Sequence, residues 1–249
     1  MKKLHLAFFI SALFIFFLST QTNAQVTFQI GPGLGYSVPT GDYGGSTVDF
    51  YNGTKYGMDS GVNFHAKARV GLLFINAFGE IGYTNFSGEG EIIPTDPNSS
   101  VKVSNKVLSI KVGPEFKFSI PLSPITPYLD GFVSLNTFSG TVEFKSAPNG
   151  LPSTKQDISS ASRIGLGAGG GVLFSFGGIN LDLSIQYHLM NLAGKKFEGD
   201  VTKNQRIESY TFLNDEKDPA FVSGNTAHII SDSRGISALE IKLTALFGL

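Results

Sequence analysis

The feature that most constrains this chain is a period of two. In its last stretch, ALEIKLTALFGL over 238–249, Leu239, Ile241, Leu243, Ala245, Phe247 and Leu249 share one parity. Ala238, Glu240, Lys242, Thr244, Leu246 and Gly248 share the other. Successive side chains of a strand point to opposite faces, so this pattern predicts a strand with one apolar and one mostly polar face. Seven further stretches alternate in the same way: 26–38, 61–72, 75–85, 107–118, 129–135, 163–176 and 179–189. Pro32 falls on the apolar parity of the first stretch. It predicts a bulge or an imperfect seam, because proline has no amide hydrogen to donate to a ladder.

The connections alternate in length. Segments 39–60, 87–105, 139–160 and 191–234 are rich in Gly, Asn, Asp, Ser and Thr and read as loops. Between them lie a short turn near Leu73 and Phe74, a compact turn marked by Pro121, Pro124 and Pro127, and Gly177-Gly178, a two-residue hairpin signal. A soluble β-sandwich has no reason to collect its long loops at one end. A membrane barrel does, and a tilted strand crosses a bilayer in ~9–11 residues. The expected fold is therefore all-β: an eight-stranded antiparallel transmembrane up-and-down β-barrel with short periplasmic turns and long extracellular loops. In that topology Tyr36, Phe64, Tyr83 and Tyr187 fall near the outer interface, and Phe116, Phe118, Phe174, Phe176 and Phe247 near the inner one.

The N-terminus is a separate object. Lys2 and Lys3 precede the apolar run LAFFISALFIFFL at 6–18, and Thr22-Asn23-Ala24 offers small residues for a cut after Ala24. This is the layout of a secretory signal peptide. The apolar run is shorter than the ~20 residues of a spanning helix. The expected division is a signal peptide at 1–24 and an outer-membrane barrel domain at 25–249. Without Lys2 and Lys3, 17 basic residues face 20 acidic ones, a net charge of −3. No basic run appears, which argues against a nucleic-acid partner. With no cysteine there is no disulfide framework, thiolate metal site or cysteine nucleophile.

The inward parities carry charges of both signs. Lys67, Arg69, Lys111, Lys117, Arg163 and Lys242 are the bases; Glu80, Glu115, Asp130, Asp182 and Glu240 are the acids; His188 shares the same lumen. An eight-stranded barrel is just wide enough to be filled by side chains, and buried charges must pair. The expectation is a salt-bridged lumen charge network that closes the barrel, weighed against a conducting pore. A lining of one sign would have argued for ion selectivity.

Other candidate chemistry has a plainer reading beside it. Gly165-Leu166-Gly167-Ala168-Gly169-Gly170 matches GxGxxG, but a dinucleotide site needs a strand–turn–helix context, and no helix follows. Asp182, Ser184 and His188 share strand seven and invite a hydrolase reading. However, Ser184 and His188 are roughly 13 Å apart at ~3.3 Å per residue, too far for a nucleophile–base pair. A lumen hydrogen-bond network is the plainer reading for them and for His65. His228 lies in the last loop without a recognisable partner. Asp215, Glu216 and Asp218 form a small acidic cluster that could weakly hold a divalent ion, with a solvated loop as the plainer reading. No catalytic, cofactor or metal residues are expected. The 191–234 loop contains Tyr210, Phe212, Phe221, Ile229 and Ile230, so it is expected to fold partly over the barrel mouth and to form the surface-exposed binding region.

The signal-peptide layout, the first strand IGPGLGYSVPTGD, the Pro127-Tyr128 strand start and the apolar last strand resemble the small outer-membrane β-barrel family of Gram-negative bacteria. The OmpA-like and OmpX-like eight-stranded barrels belong to that family. The resemblance implies a fold and an outer-membrane location, with contacts to outer-membrane lipid and to the barrel assembly machinery. In that family the last strand is the assembly signal and usually ends in an aromatic residue; this one ends in Leu249, with Phe247 two before it. Family members share no single activity. The expected role is structural or surface-interactive, through an extracellular ligand of the loops, and non-enzymatic. A narrow channel or transport accessory is the alternative, and a lipid A-modifying enzyme the third.

Overall fold

The structure, a computed structural model, describes residues 26–72, 75–118, 120–121, 123–203 and 205–248. The expected leader at 1–24, the turn at Leu73 and Phe74, and Leu249 lie outside the described residues. Eight strands follow in order: β1 Thr27–Thr40, β2 Asp59–Leu72, β3 Ile75–Glu91, β4 Ser100–Lys117, β5 Ile125–Lys145, β6 Gln156–Phe176, β7 Ile179–Ala193 and β8 Ser237–Gly248. Each pairs antiparallel with its sequence neighbour, and β8 pairs with β1 to close the barrel. Closure leaves no row of unpaired backbone groups, which hydrocarbon would not tolerate.

At Pro32 the β1–β2 register runs through without a shift. The β1–β8 ladder breaks instead, between the pairs Ile30–Phe247 and Gly33–Thr244, and resumes in the same register. The feature is thus an imperfect seam and not a bulge. Gly31 shares the break: a Cβ there would lie 1.6 Å from the Ala245 carbonyl oxygen. At the short-turn end, close to this seam, Gly177 and Gly178 both take positive φ, 50° and 100°, as a tight two-residue hairpin requires.

Around its middle the barrel is apolar outside and polar inside. Leu34, Val112, Val133, Leu166, Ile185 and Leu243 are exposed, whereas Lys67, Arg69, Lys111 and Glu115 are buried. Exposed Tyr36, Phe64, Tyr83 and Tyr187 mark one margin of this belt, and exposed Phe116, Phe118, Phe176 and Phe247 the other. A belt of this kind is built to face lipid.

Four strands run well beyond their expected ends, so the loops expected at 87–105 and 139–160 shrink to 92–99 and 146–155. The cause is an inversion of polarity along an unbroken ladder. In the lower part of β4, Leu108, Ile110 and Val112 face out, with Ser109, Lys111 and Glu115 facing in. In its upper part the faces trade character: Lys102 and Lys106 face out, and Val101, Val103 and Val107 face in. β5 repeats this, with Leu129, Val133 and Leu135 outward below and Phe138, Val142 and Phe144 inward above. The β3–β4 pairing continues in register from Ile75–Phe116 to Glu91–Ser100. The lower part is patterned for hydrocarbon around it, and the upper part for water. Register shifts near Asp59 and Phe138 fall in this upper region, consistent with bulges at barrel rims, and a third, between Ile164 and Leu166, lies at the level of Leu135 and Val133 in the belt.

The upper part therefore has an ordinary apolar core, and the loops close it. The segment between β1 and β2 is not a plain loop. It holds a 3-10 turn at Gly41–Tyr43 and a short helix at Thr47–Tyr51, started by a reciprocal cap between Ser46 and Asp49. The 194–236 segment carries one helical turn at Glu208–Thr211. Tyr43, Phe50 and Met58 from the first loop meet Phe86, Val103, Val142 and Phe144 from the walls and Tyr210, Leu213 and Ile230 from the last loop. Each such large side chain removed from water contributes roughly 1.5–3 kcal/mol. No described helix is long and apolar enough to cross a membrane, which says nothing of a barrel.

Candidate functional site

The inward parity of the belt gathers charges from strands distant in sequence. Nearest the short turns, Lys67 and Arg69 of β2 meet Glu115 of β4 and Asp182 of β7. Lys67 Nζ lies 2.6 Å from Glu115 Oε1 and 2.9 Å from Asp182 Oδ2, and Arg69 Nη2 donates to the same two carboxylates at 2.9 Å each. The Tyr128 hydroxyl donates to Asp182 Oδ1 at 2.6 Å. Higher up, Glu80 of β3, Lys111 of β4 and Glu240 and Lys242 of β8 form a second group. Lys242 Nζ is 2.6 Å from Glu80 Oε1 and 2.7 Å from Gln186 Oε1, and Lys111 bonds Glu240 closely and lies 3.4 Å from Glu80. Phe78 and Phe132 meet edge to face at 6.2 Å; Lys67 lies over the first ring and Lys111 over the second, each 4.9 Å from the centroid. An aromatic shelf thus links the two groups.

Each group contains two cations and two anions. Buried ions cost several kcal/mol each in lost solvation, and only close, hydrogen-bonded pairing offsets that. Local neutrality meets this condition within each layer of the lumen. Asp130 stands apart: it is buried, its Oδ2 accepts from Gln186 at 2.7 Å, and its Oδ1 has no partner. Lys117 is half-buried at the short-turn rim and, among the described residues, joins neither group.

Arg163 leaves the lumen network altogether. Its Nε and Nη2 grip Asp215 of the last loop at 2.8 Å each, with both side chains fully buried. Asp215 also accepts from Asn191 Nδ2 and from the Lys196 amide, each at 3.0 Å. Asp218, likewise buried, accepts from the Ala220 amide and lies 2.8 Å from His228 Nδ1. Of the residues read as an acidic cluster, Asp215 and Asp218 thus serve two separate anchors, and Glu216 is exposed. Arg206 and the Tyr210 hydroxyl both donate to the Tyr51 carbonyl, Arg234 donates to the carbonyls of Asn214 and Lys55, and the Gly235 amide donates to Asp42. Burial holds the phenols of Tyr43, Tyr56 and Tyr210 above the usual tyrosine range, so they remain neutral in this cap, where Tyr56 and Tyr210 donate to the Asn214 and Tyr51 carbonyls.

The histidines found partners the sequence did not indicate. His188 Nε2 lies 2.8 Å from Ser134 Oγ of β5, not Ser184, and its Nδ1 lies 2.9 Å from Glu240 Oε1. The spacing is that of a nucleophile–base–acid chain. Yet all three side chains are buried, Ser134 Oγ also accepts from Asn136, and Glu240 is already paired with Lys111. It is a satisfied wall network. His65 sits between Asn63 and Thr244, 2.8 Å from each. The glycine run of β6 serves packing: a Cβ at Gly167 would sit 2.2 Å from the Phe132 ring, and one at Gly165 2.5 Å from Ser134 Oγ. Ser134, Tyr128, Gln186 and Asn136 were not among the expected network residues, and the inward parity of β5 and β7 was the signal that could have added them.

No protein family and no curated protein matches the chain. Solved structures do. A major outer membrane protein from Thermus thermophilus overlays with a TM-score of 0.49 at 16% identity, over 90% of this chain and 99% of that one. Neisserial surface protein A gives 0.46 at 14%, over 88% and 96%. Ail, the attachment invasion locus protein of Yersinia pestis, gives 0.43 at 13%, over 92% and 100%. At these identities the likeness is one of fold, and the eight-stranded assignment stands on this chain's own closed strand order.

Proposed function

We propose that this chain is an outer-membrane barrel with a sealed lumen, acting structurally or by surface interaction through the folded cap over its mouth. The observation that carries this reading is the cap. A polar loop with no task beyond linking two strands needs neither a buried Arg163–Asp215 clamp nor Tyr210 and Ile230 packed on the barrel's upper core. An ordered surface carries a smaller ordering cost on binding than a flexible one. The lipid-facing belt supports the membrane location, and the two neutral ion groups support a lumen that does not conduct. The leader at 1–24 would direct export, and assembly machinery would insert the barrel.

The test is excision of 204–232, replaced by a short Gly-Ser linker, in cells displaying the protein. Wild-type cells should adhere to at least one member of a panel of immobilised glycans and matrix proteins, and cells with the excised form should lose that adhesion while retaining a heat-modifiable barrel. Unchanged adhesion after excision would sink the proposal. Discrete, stable conductance of the wild-type protein in planar bilayers would favour the channel reading instead.

A further inference from the structure

The lipid-facing belt is not uniform. Across β5 to β7 one row of outward positions reads Gly131, Ala168, Tyr187, each paired with the next, and Pro114 continues the row on β4, between the β4–β5 pairs Val112–Val133 and Glu115–Asp130. The row above it reads Val112, Val133, Leu166, Leu189. Gly131 and Ala168 are the smallest side chains in the middle of the first row, with bulkier neighbours at both ends and above. The result is an outward-opening groove of about 710 Å³, bounded by these residues. Its floor is deepened by Gly167, which has no side chain, so the edge of the Phe132 ring behind it is reached from outside. The volume falls in the ~300–1,000 Å³ range of small-molecule sites.

We infer that this groove holds one acyl chain of a membrane lipid. The inference rests on the belt facing lipid, as proposed above. The groove opens only toward that belt, where hydrocarbon is the sole medium. An unfilled apolar notch forfeits dispersion contacts on every wall, and water cannot recover them. A headgroup is not required for the fit. Tyr187, at the belt's outer margin, ends the groove with its hydroxyl at the level where lipid headgroups begin. Nor is the notch demanded by the backbone. A Cβ at Gly131 would meet nothing closer than the Gly167 carbonyl oxygen at 3.9 Å, so a side chain there would be tolerated and would fill the space.

The experiment uses full-length protein inserted into phosphatidylethanolamine–phosphatidylglycerol vesicles, extracted into mild detergent and weighed by native mass spectrometry. Heat-modifiable migration first establishes that each variant is a folded, inserted barrel, so a failure of the membrane reading shows before any lipid is counted. Wild-type protein should retain one lipid adduct. Gly131→Leu and Ala168→Leu, which fill the groove, should each lower the retained fraction about tenfold, the equivalent of ~1.4 kcal/mol. Ala66→Leu, an equal addition at an exposed outward position on β2, away from the groove, should retain lipid as wild type does. Folded wild-type protein without an adduct, equal retention in all four proteins, or an equal loss in Ala66→Leu would each overturn the inference.

Discussion

At the scale of residues, Asp215 holds the cap to the barrel. Its carboxylate accepts from Arg163, Asn191 and the Lys196 amide, with no exposed surface. Removing one partner of a buried ion pair leaves the other charged and unpaired, at about 3–5 kcal/mol. Asp215→Ala should therefore release the 194–236 segment: limited proteolysis should cut there in the variant and not in the wild type, while the barrel keeps its heat-modifiable migration. Ser134 poses a sharper question, because its contact with His188 has the geometry of a nucleophile. As part of a wall network, Ser134→Ala should leave lipid A mass spectra unchanged and lower barrel stability by about 1–3 kcal/mol, the cost of an unsatisfied buried group. A lost lipid modification in that variant, with stability intact, would point to the enzyme reading.

At the scale of elements, alternation made the strands legible, and an assumption about which face is apolar hid their upper ends. Residues such as Leu108, Ile110 and Val112 were readable because their polarity matched a hydrocarbon surround. Lys102, Ser104 and Lys106 belong to the same strand, but above the belt the outward face is polar, and so the region resembled a loop. The phase change at Val107–Leu108, two adjacent apolar residues with opposite orientations, was the visible trace of the boundary. The helix at Thr47–Tyr51 was hidden for a different reason. It has one turn, and its cap uses Asp49 where the familiar capping box has a longer acid or amide. The candidate site was legible only as far as parity reaches. Parity put Lys67, Glu115 and Asp182 on inward faces, but it could not say that Arg163 would turn to a loop residue 52 positions away. The boundary itself is testable, since the chain has no cysteine to give a background signal. In single-cysteine variants on β4, a membrane-impermeant thiol reagent should label positions 102, 104 and 106 and spare 110 and 112. Labelling at all five would mean that the lower part of β4 lies in water.

At the scale of the whole molecule, the barrel is closed by layers of different chemistry stacked along one axis. The lower ion group, the Phe78–Phe132 shelf, the upper ion group with His188, and the apolar core under the cap come in turn from the short turns to the loops. Ion groups alone would be open to exchange with water entering from the mouth. The cap excludes that water and so keeps the upper pairs in a medium where their attraction is strong. The cap in turn needs the upper strands as a wall, which is why β3 to β6 extend past the belt. Two seals in series make a specific demand on conductance. Excising 204–232 removes one seal and leaves both ion groups, so planar-bilayer recordings of that form should remain silent. Adding Glu80→Ala and Lys242→Ala to the excised form removes a complementary pair from the upper group and leaves a shortened, hydrated stack. Brief, flickering openings are then expected, and they should be absent from the double substitution with its cap in place. Steady conductance from excision alone would mean that the cap is the sole barrier and that the paired charges line a pore.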